Sequence, residues 1–126
     1  MEYQKFLSDV ENLGYFDDLE TADAAVKAVL GILASSMEEE QAKRLIERLP
    51  EPLSYERLRG HQARPIDITM EEYISEIGAE FNLNDDNARE LVDTVFHTTK
   101  EAVGEDAITE LELDMPSDVA EELENA

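Results

Sequence analysis

The sequence has no cysteine and no tryptophan, only ten basic residues, and aromatics at 6% of its 126 positions. Without cysteine it has no disulfide, no thiolate metal site and no cysteine nucleophile, and the default expectation is an intracellular protein. So few aromatics point to a core of aliphatic side chains packed between helices. No stretch approaches the roughly 18 apolar residues of a membrane span. The opening MEYQKFLSDVENL lacks the basic start and continuous apolar run of a secretory signal. The expectation is a cytoplasmic protein, neither exported by a recognisable signal nor inserted in a bilayer. Phosphate loops, dinucleotide fingerprints, the HExxH zinc motif and the EF-hand loop are also missing.

What the chain has in excess is acid. Thirty-two acidic residues against ten basic ones give a net charge of −22, far beyond the roughly 2 to 8 units usual for a small domain. Such a surface suits a salt-rich cytoplasm, because the Debye length shrinks to about 3 Å at 1 M. Halophilic adaptation is the expectation that follows. A domain of this size can also be assembled from two halves of roughly 60 residues, each marginal alone, that share one core.

Taken in order, Tyr3, Phe6, Leu7, Val10 and Leu13 recur at helical spacing and end before Gly14. Asp17 and Glu20 stand at capping-box spacing ahead of the most apolar face in the chain, Ala22, Ala25, Val26, Val29, Leu30 and Leu33. Ser36 and Glu39 repeat that spacing before a third stripe of Ala42, Leu45, Ile46 and Leu49, which Pro50 closes. Pro52, Gly60 and Pro65 break the periodicity and mark a linker. A second run opens with Thr69 and Glu72 as a capping box, Ile68 and Tyr73 being placed to staple across it. Asn84 caps the next helix, which Gly104 stops near Val103. Ile108, Leu111 and Met115 form a thinner stripe before Pro116, and Ser117 caps a last turn or two with Val119 and Leu123. No stretch alternates as a strand should.

The second run echoes the first. At an offset of 66, Ala22, Val26, Val29, Leu30, Leu45, Leu49 and Pro50 fall on Ala88, Val92, Val95, Phe96, Leu111, Met115 and Pro116. The pairs Phe6-Leu7 and Tyr73-Ile74 open the two runs. With these features the chain resembles a domain of unknown function, number 2267, whose members often carry two copies of such a unit. The resemblance covers nearly the whole chain and implies a fold, but no catalytic residue. The second copy departs from the first where Thr99 replaces the apolar Leu33, which implies looser packing there.

Candidate chemistry is sparse. His97 has Asp93 one turn before it and Glu101 one turn after, a spacing that can put three metal ligands on one helix side. The plainer reading is a solvated polar face, and Gly31 occupies the equivalent position in the first run. So many carboxylates guarantee pairs at acid and base spacing, so no one pair stands out. Between residues 43 and 64 the charge inverts to +3, with six basic and three acidic residues. Here Arg57, Arg59 and Arg64, with His61 among them, can meet a phosphate or an acidic partner, or latch onto the protein's own acidic halves; the latch is the plainer reading. Residues 101–126 carry ten acids and no base, and read as a solvated face and frayed tail. The acids lie on almost every helix face, as bulk salt tolerance predicts and a nucleic-acid mimic does not.

The sequence therefore predicts an all-α bundle of about six to seven helices. It is divided into a first three-helix repeat (1–50), a basic linker (51–66) and a second repeat (67–126), packed pseudo-symmetrically as one compact domain. The expected function is a non-enzymatic binding or structural module without cofactor or metal. Its partner would be another protein or a second copy of itself, not nucleic acid or a membrane. The alternative is a small enzyme or anionic-ligand-binding protein using Arg57, Arg59 and Arg64.

Overall fold

The computed structural model describes residues 2–51, 53–54, 58 and 68–126. Among them the chain forms seven α-helices and no strand. These are α1 (Tyr3–Glu11), α2 (Leu19–Ser35), α3 (Glu39–Glu47), α4 (Met70–Phe81), α5 (Asp85–Val103), α6 (Glu105–Glu112) and α7 (Ser117–Asn125). No helix among the described residues is long and apolar enough to cross a membrane.

Local chemistry sets the boundaries. The Thr69 hydroxyl accepts from Glu72 N at 3.1 Å while the Glu72 carboxylate accepts from Thr69 N at 3.0 Å. This reciprocal box satisfies two helix-end donors. Asn84 caps α5 by accepting from Asn87 N at 2.8 Å, and Gly104, at φ +93°, ends it with a conformation that side chains disfavour.

Three boundaries differ from the sequence reading. α2 is capped by Asp18, not Asp17: Asp18 is the last extended residue, and it accepts from Thr21 N at 2.7 Å. These bonds from Thr21 hold its carboxylate below the usual range. Ser36 caps no new helix. It closes α2 and returns its hydroxyl to Leu33 O at 2.7 Å, while α3 follows Glu38 without a side-chain cap. The expected frayed tail is α7, whose Val119 and Leu123 are fully buried; Pro116 holds its cap position, so Ser117 is its first residue and caps nothing. Its first turn is fixed from outside, because Asp118 accepts from Met70 N at 2.7 Å.

The core is one continuous cluster drawing on every helix. α2 and α5 lie in contact at its centre, and Val29, Leu30, Val95 and Phe96 are all fully buried there. Burying a side chain of this size contributes roughly 1.5 to 3 kcal/mol. Tyr73 of α4 is buried between them. Its hydroxyl donates to Val29 O, and its ring meets Phe96 edge-on at 5.7 Å between centroids. α1 packs on α5 as well as on α2, so the first run is clasped into the second. The expected looseness at Thr99 is not found: it is fully buried, and its hydroxyl returns to Val95 O at 2.7 Å. Helix starts at Tyr3, Leu19 and Glu39 are followed by starts at Met70, Asp85 and Glu105, displaced by 67, 66 and 66 residues.

Candidate functional site

Arg57, Arg59, His61 and Arg64, the residues the sequence put forward, all lie outside the described residues. What the described residues bring together is a groove of about 710 Å³ where α1, α5 and the end of α7 meet. Asp9, Asp86, Glu90, Asp93 and Glu101 give it acidic walls, relieved by Lys5 and Arg89.

Its α1 wall is fixed by bonds to α5 and by an ion pair within α1. Thr98 donates to Asp9 Oδ2 at 2.6 Å, and Lys5 pairs with Asp9 at 2.9 Å. Tyr15, in the turn after α1, reaches Asn87 and Glu90 on α5. These positions follow from the helical period: residues 86, 90, 93, 94, 97 and 101 form one stripe of α5, opposite the apolar face at 88, 92, 95 and 99.

The unusual group is Asp93. Its Oδ1 is shut off from solvent and has no N–H or O–H donor among the described residues. Its neighbour is the Glu122 carboxyl of α7, and a hydrogen bond between two carboxyls requires a proton. Burial first, then the bond and the charge of Glu122, push Asp93 up to about 7, with Arg89 pulling the other way. Arg89 in turn holds Glu122 at 2.5 Å. Two acids and one guanidinium thus meet across the α5–α7 contact.

The spacing of Asp93, His97 and Glu101 does not become a metal centre. His97 Nε2 lies 3.3 Å from Glu101, its Nδ1 lies 3.2 Å from Ala126 O, and Asp93 faces Glu122 instead. Among the described residues no three His, Asp or Glu side chains form a group able to hold a metal ion.

Sequence reasoning missed the Asp93–Glu122–Arg89 cluster, because 29 and 33 residues separate the partners and every helix offers acids. One signal was available. Arg89 and Lys100 are the only bases after residue 66, and both reach α7, Arg89 at Glu122 and Lys100 at Glu124 O, 3.0 Å away. In so acidic a segment, rare cations mark where the structure needs them.

A second groove, about 620 Å³, runs between α3 and α6, with Arg48 facing Gly104, Glu105, Asp106 and Glu110. Beside it Arg44 approaches Glu110 at 3.7 Å, an exposed pair of little energetic weight.

The first groove, with its acidic walls, can receive a cation or a basic side chain. No curated protein and no solved structure matches the chain. A family described as "Uncharacterized conserved protein (DUF2267)" matches residues 3–122, almost all of what has been described, and the chain belongs to that family.

Proposed function

We propose that the chain is a non-enzymatic helical module that binds a basic protein surface through its acidic shell, in a salt-rich cytoplasm. One observation carries this reading: no Asp or Glu is among the buried described residues, whose polar members are Ser36, Thr98 and Thr99 alone. Most of the acids are therefore spent on the outside, where a partner or a dense salt solution meets them. Polar groups that span helices, among them Tyr3 to Asp23, Thr98 to Asp9 and Arg89 to Glu122, are engaged in holding the fold.

The repeat belongs to the same proposal, with the module as two copies of one three-helix unit. The near-constant displacement of helix starts supports it, as does the burial on both sides of all six apolar pairs at offset 66.

The test is crosslinking in the cell at its own ionic strength, followed by titration of the purified pair. A stoichiometric complex with a basic protein, weakening as potassium chloride rises, is the expected result. A chain that crosslinks to nothing in stoichiometric yield overturns the reading. The rival, a ligand site at Arg57, Arg59 and Arg64, predicts that reversing these three charges abolishes binding of an anionic ligand while thermal stability is unchanged. A latch predicts the reverse.

A further inference from the structure

Different helices hold the two ends of α7. At its start, the Asp118 carboxylate accepts from the N–H of Met70, the first residue of α4, at 2.7 Å. Its other oxygen accepts from Val119 N, in the first turn of α7 itself, at 2.9 Å. A carboxylate in that place meets the positive ends of two helix dipoles at once. Toward its other end, Glu122 pairs with Arg89 of α5 at 2.5 Å, and Lys100 of α5 donates to Glu124 O at 3.0 Å. Both bases that follow residue 66 are thus spent on this end. Between the anchors, Val119 and Leu123 are fully buried where α7 packs on α4 and α5.

The anchor at Met70 also matters to α4. The first N–H groups of a helix have no partner within it. In α4 two donors are met locally, Thr69 N by the Glu72 carboxylate and Glu72 N by the Thr69 hydroxyl. Met70 N, next to Thr69, is met from 48 residues away, by Asp118. The start of α4 is therefore built partly from α7.

We propose that α7 is a strap that opens and closes as one piece, so that its hold on α5 at one end is felt at Met70 of α4 at the other. Nine residues span about 13 Å and are too few for a helix stable by itself, so freeing one end removes the support of the whole. The strap also opens before the body does. It brings two buried side chains to the core, whereas α2 brings seven. Opening uncovers Val119 and Leu123 and takes Asn125 and Ala126 out of the lining of the acidic groove. A body that enters the groove and displaces this end thereby frees the first N–H of α4, while the Thr69–Glu72 box keeps the turn that follows.

The experiment is native-state amide hydrogen exchange on the whole chain, at one pH and one salt concentration, read residue by residue by NMR. In the wild type, Met70 N–H should be protected to the same degree as the middle of α7, within about threefold, and less than α2. Lys100→Met keeps the aliphatic stem and removes the donor at the far end of the strap. It should lower protection at Met70 and throughout α7 together, by about threefold or more, as the loss of one net hydrogen bond predicts. Glu72 N–H, two residues from Met70 but held by its own box, should stay unchanged. Asp118→Ala cuts the other anchor and should lower protection at residues 123–126 by about tenfold or more, since that bond has a charged acceptor. If Lys100→Met affects residues 124–126 alone and leaves Met70 as it was, α7 merely frays and the proposal is overturned. It is overturned equally if Asp118→Ala leaves residues 123–126 unchanged, or if α2 loses protection in step with α7, which would make the opening global.

Discussion

Residues 31–33 of α2 read Gly-Ile-Leu, while the residues 66 positions later, 97–99 of α5, read His-Thr-Thr. Leu33 and Thr99 are nonetheless both fully buried. The interior accepts threonine because its hydroxyl bonds the carbonyl one turn back, Val95 O, and so carries no unsatisfied group inward. Thr98 adds a bond that Ile32 cannot make, to Asp9 of α1. The first position differs for another reason. A Cβ on Gly31 would lie 3.0 Å from Leu58 O, so backbone presses directly on α2. On α5 the same place carries the His97 side chain, with Ala126 O resting against its ring. One half brings backbone onto its central helix by having no side chain; the other carries a side chain at that place, and the Ala126 carbonyl meets it.

Charge separates the halves further. Residues 1–50 carry five basic and eleven acidic side chains, a net of −6. Residues 67–126 carry two and nineteen, a net of −17. The half with the more polar central helix thus also bears most of the repulsion, and its two bases are spent on one helix.

The largest expected effects probe what the halves share. Phe96→Ala should cost about 3 to 5 kcal/mol and Leu30→Ala about 2 to 5 kcal/mol, since each removes a fully buried side chain from the α2–α5 contact. Urea unfolding followed by helical circular dichroism measures both. A loss below about 0.5 kcal/mol at either position, the range of surface changes, would mean that the two helices do not share the core alike, and would count against the proposed repeat.

Next comes the position where the halves part. Gly31→Ala gains up to about 1 kcal/mol of helix propensity but forces a contact on the Leu58 carbonyl, and overpacking costs about 1 to 3 kcal/mol. A net loss near 1 kcal/mol is expected. A net gain in the same unfolding assay would mean that the backbone yields, and that glycine is not required there.

Comparing residues with structure shows why some features were legible. The helices, the apolar stripes, the Thr69–Glu72 box and the Gly104 stop all depend on neighbours within about one turn, which sequence displays. Asp17 and Asp18 are adjacent and chemically alike, so only backbone conformation separates them; Ser36 misleads because its hydroxyl turns back to Leu33 O, leaving α3 to begin after Glu38 with no side-chain cap. The Asp93–Glu122 contact and the seating of α7 depend on packing across about thirty residues, and nothing local in an acid-rich segment singles them out.

The charge difference makes a smaller, graded prediction. At about 0.01 M salt the Debye length is near 30 Å, long enough for carboxylates to repel across the molecule; near 1 M only close neighbours interact. Added potassium chloride should therefore raise the melting midpoint at neutral pH, and hydrogen exchange should show α5 to α7 gaining more protection than α2 and α3. A midpoint that stays flat or falls would refute the salt-rich setting and leave the acidity to a specific cationic partner. Equal gains in the two halves would show that the repulsion is felt globally.

The smallest expected effect tests whether the buried threonine is a weakness. Thr99→Val preserves shape and removes the hydroxyl, whose acceptor, Val95 O, is also the ordinary helical partner of the Thr99 N–H. Nothing buried is then left without a partner, so the usual penalty for deleting one side of a hydrogen bond does not arise. Valine also buries more apolar surface, against a slight loss of helix propensity that threonine shares. The net change should lie within about 1 kcal/mol of zero, in the range of a lost net hydrogen bond. At Thr98, one residue away, Thr98→Val deletes the donor to Asp9 and should cost about 1.5 to 3 kcal/mol, the range for bonds to charged groups. Two adjacent threonines, both hidden from solvent, would then differ because one hydroxyl is used only within its own helix, while the other, besides reaching Thr94 O at 3.1 Å, ties α5 to α1. Equal losses at the two positions would sink that distinction and give the polar segment of α5 a single, purely local role.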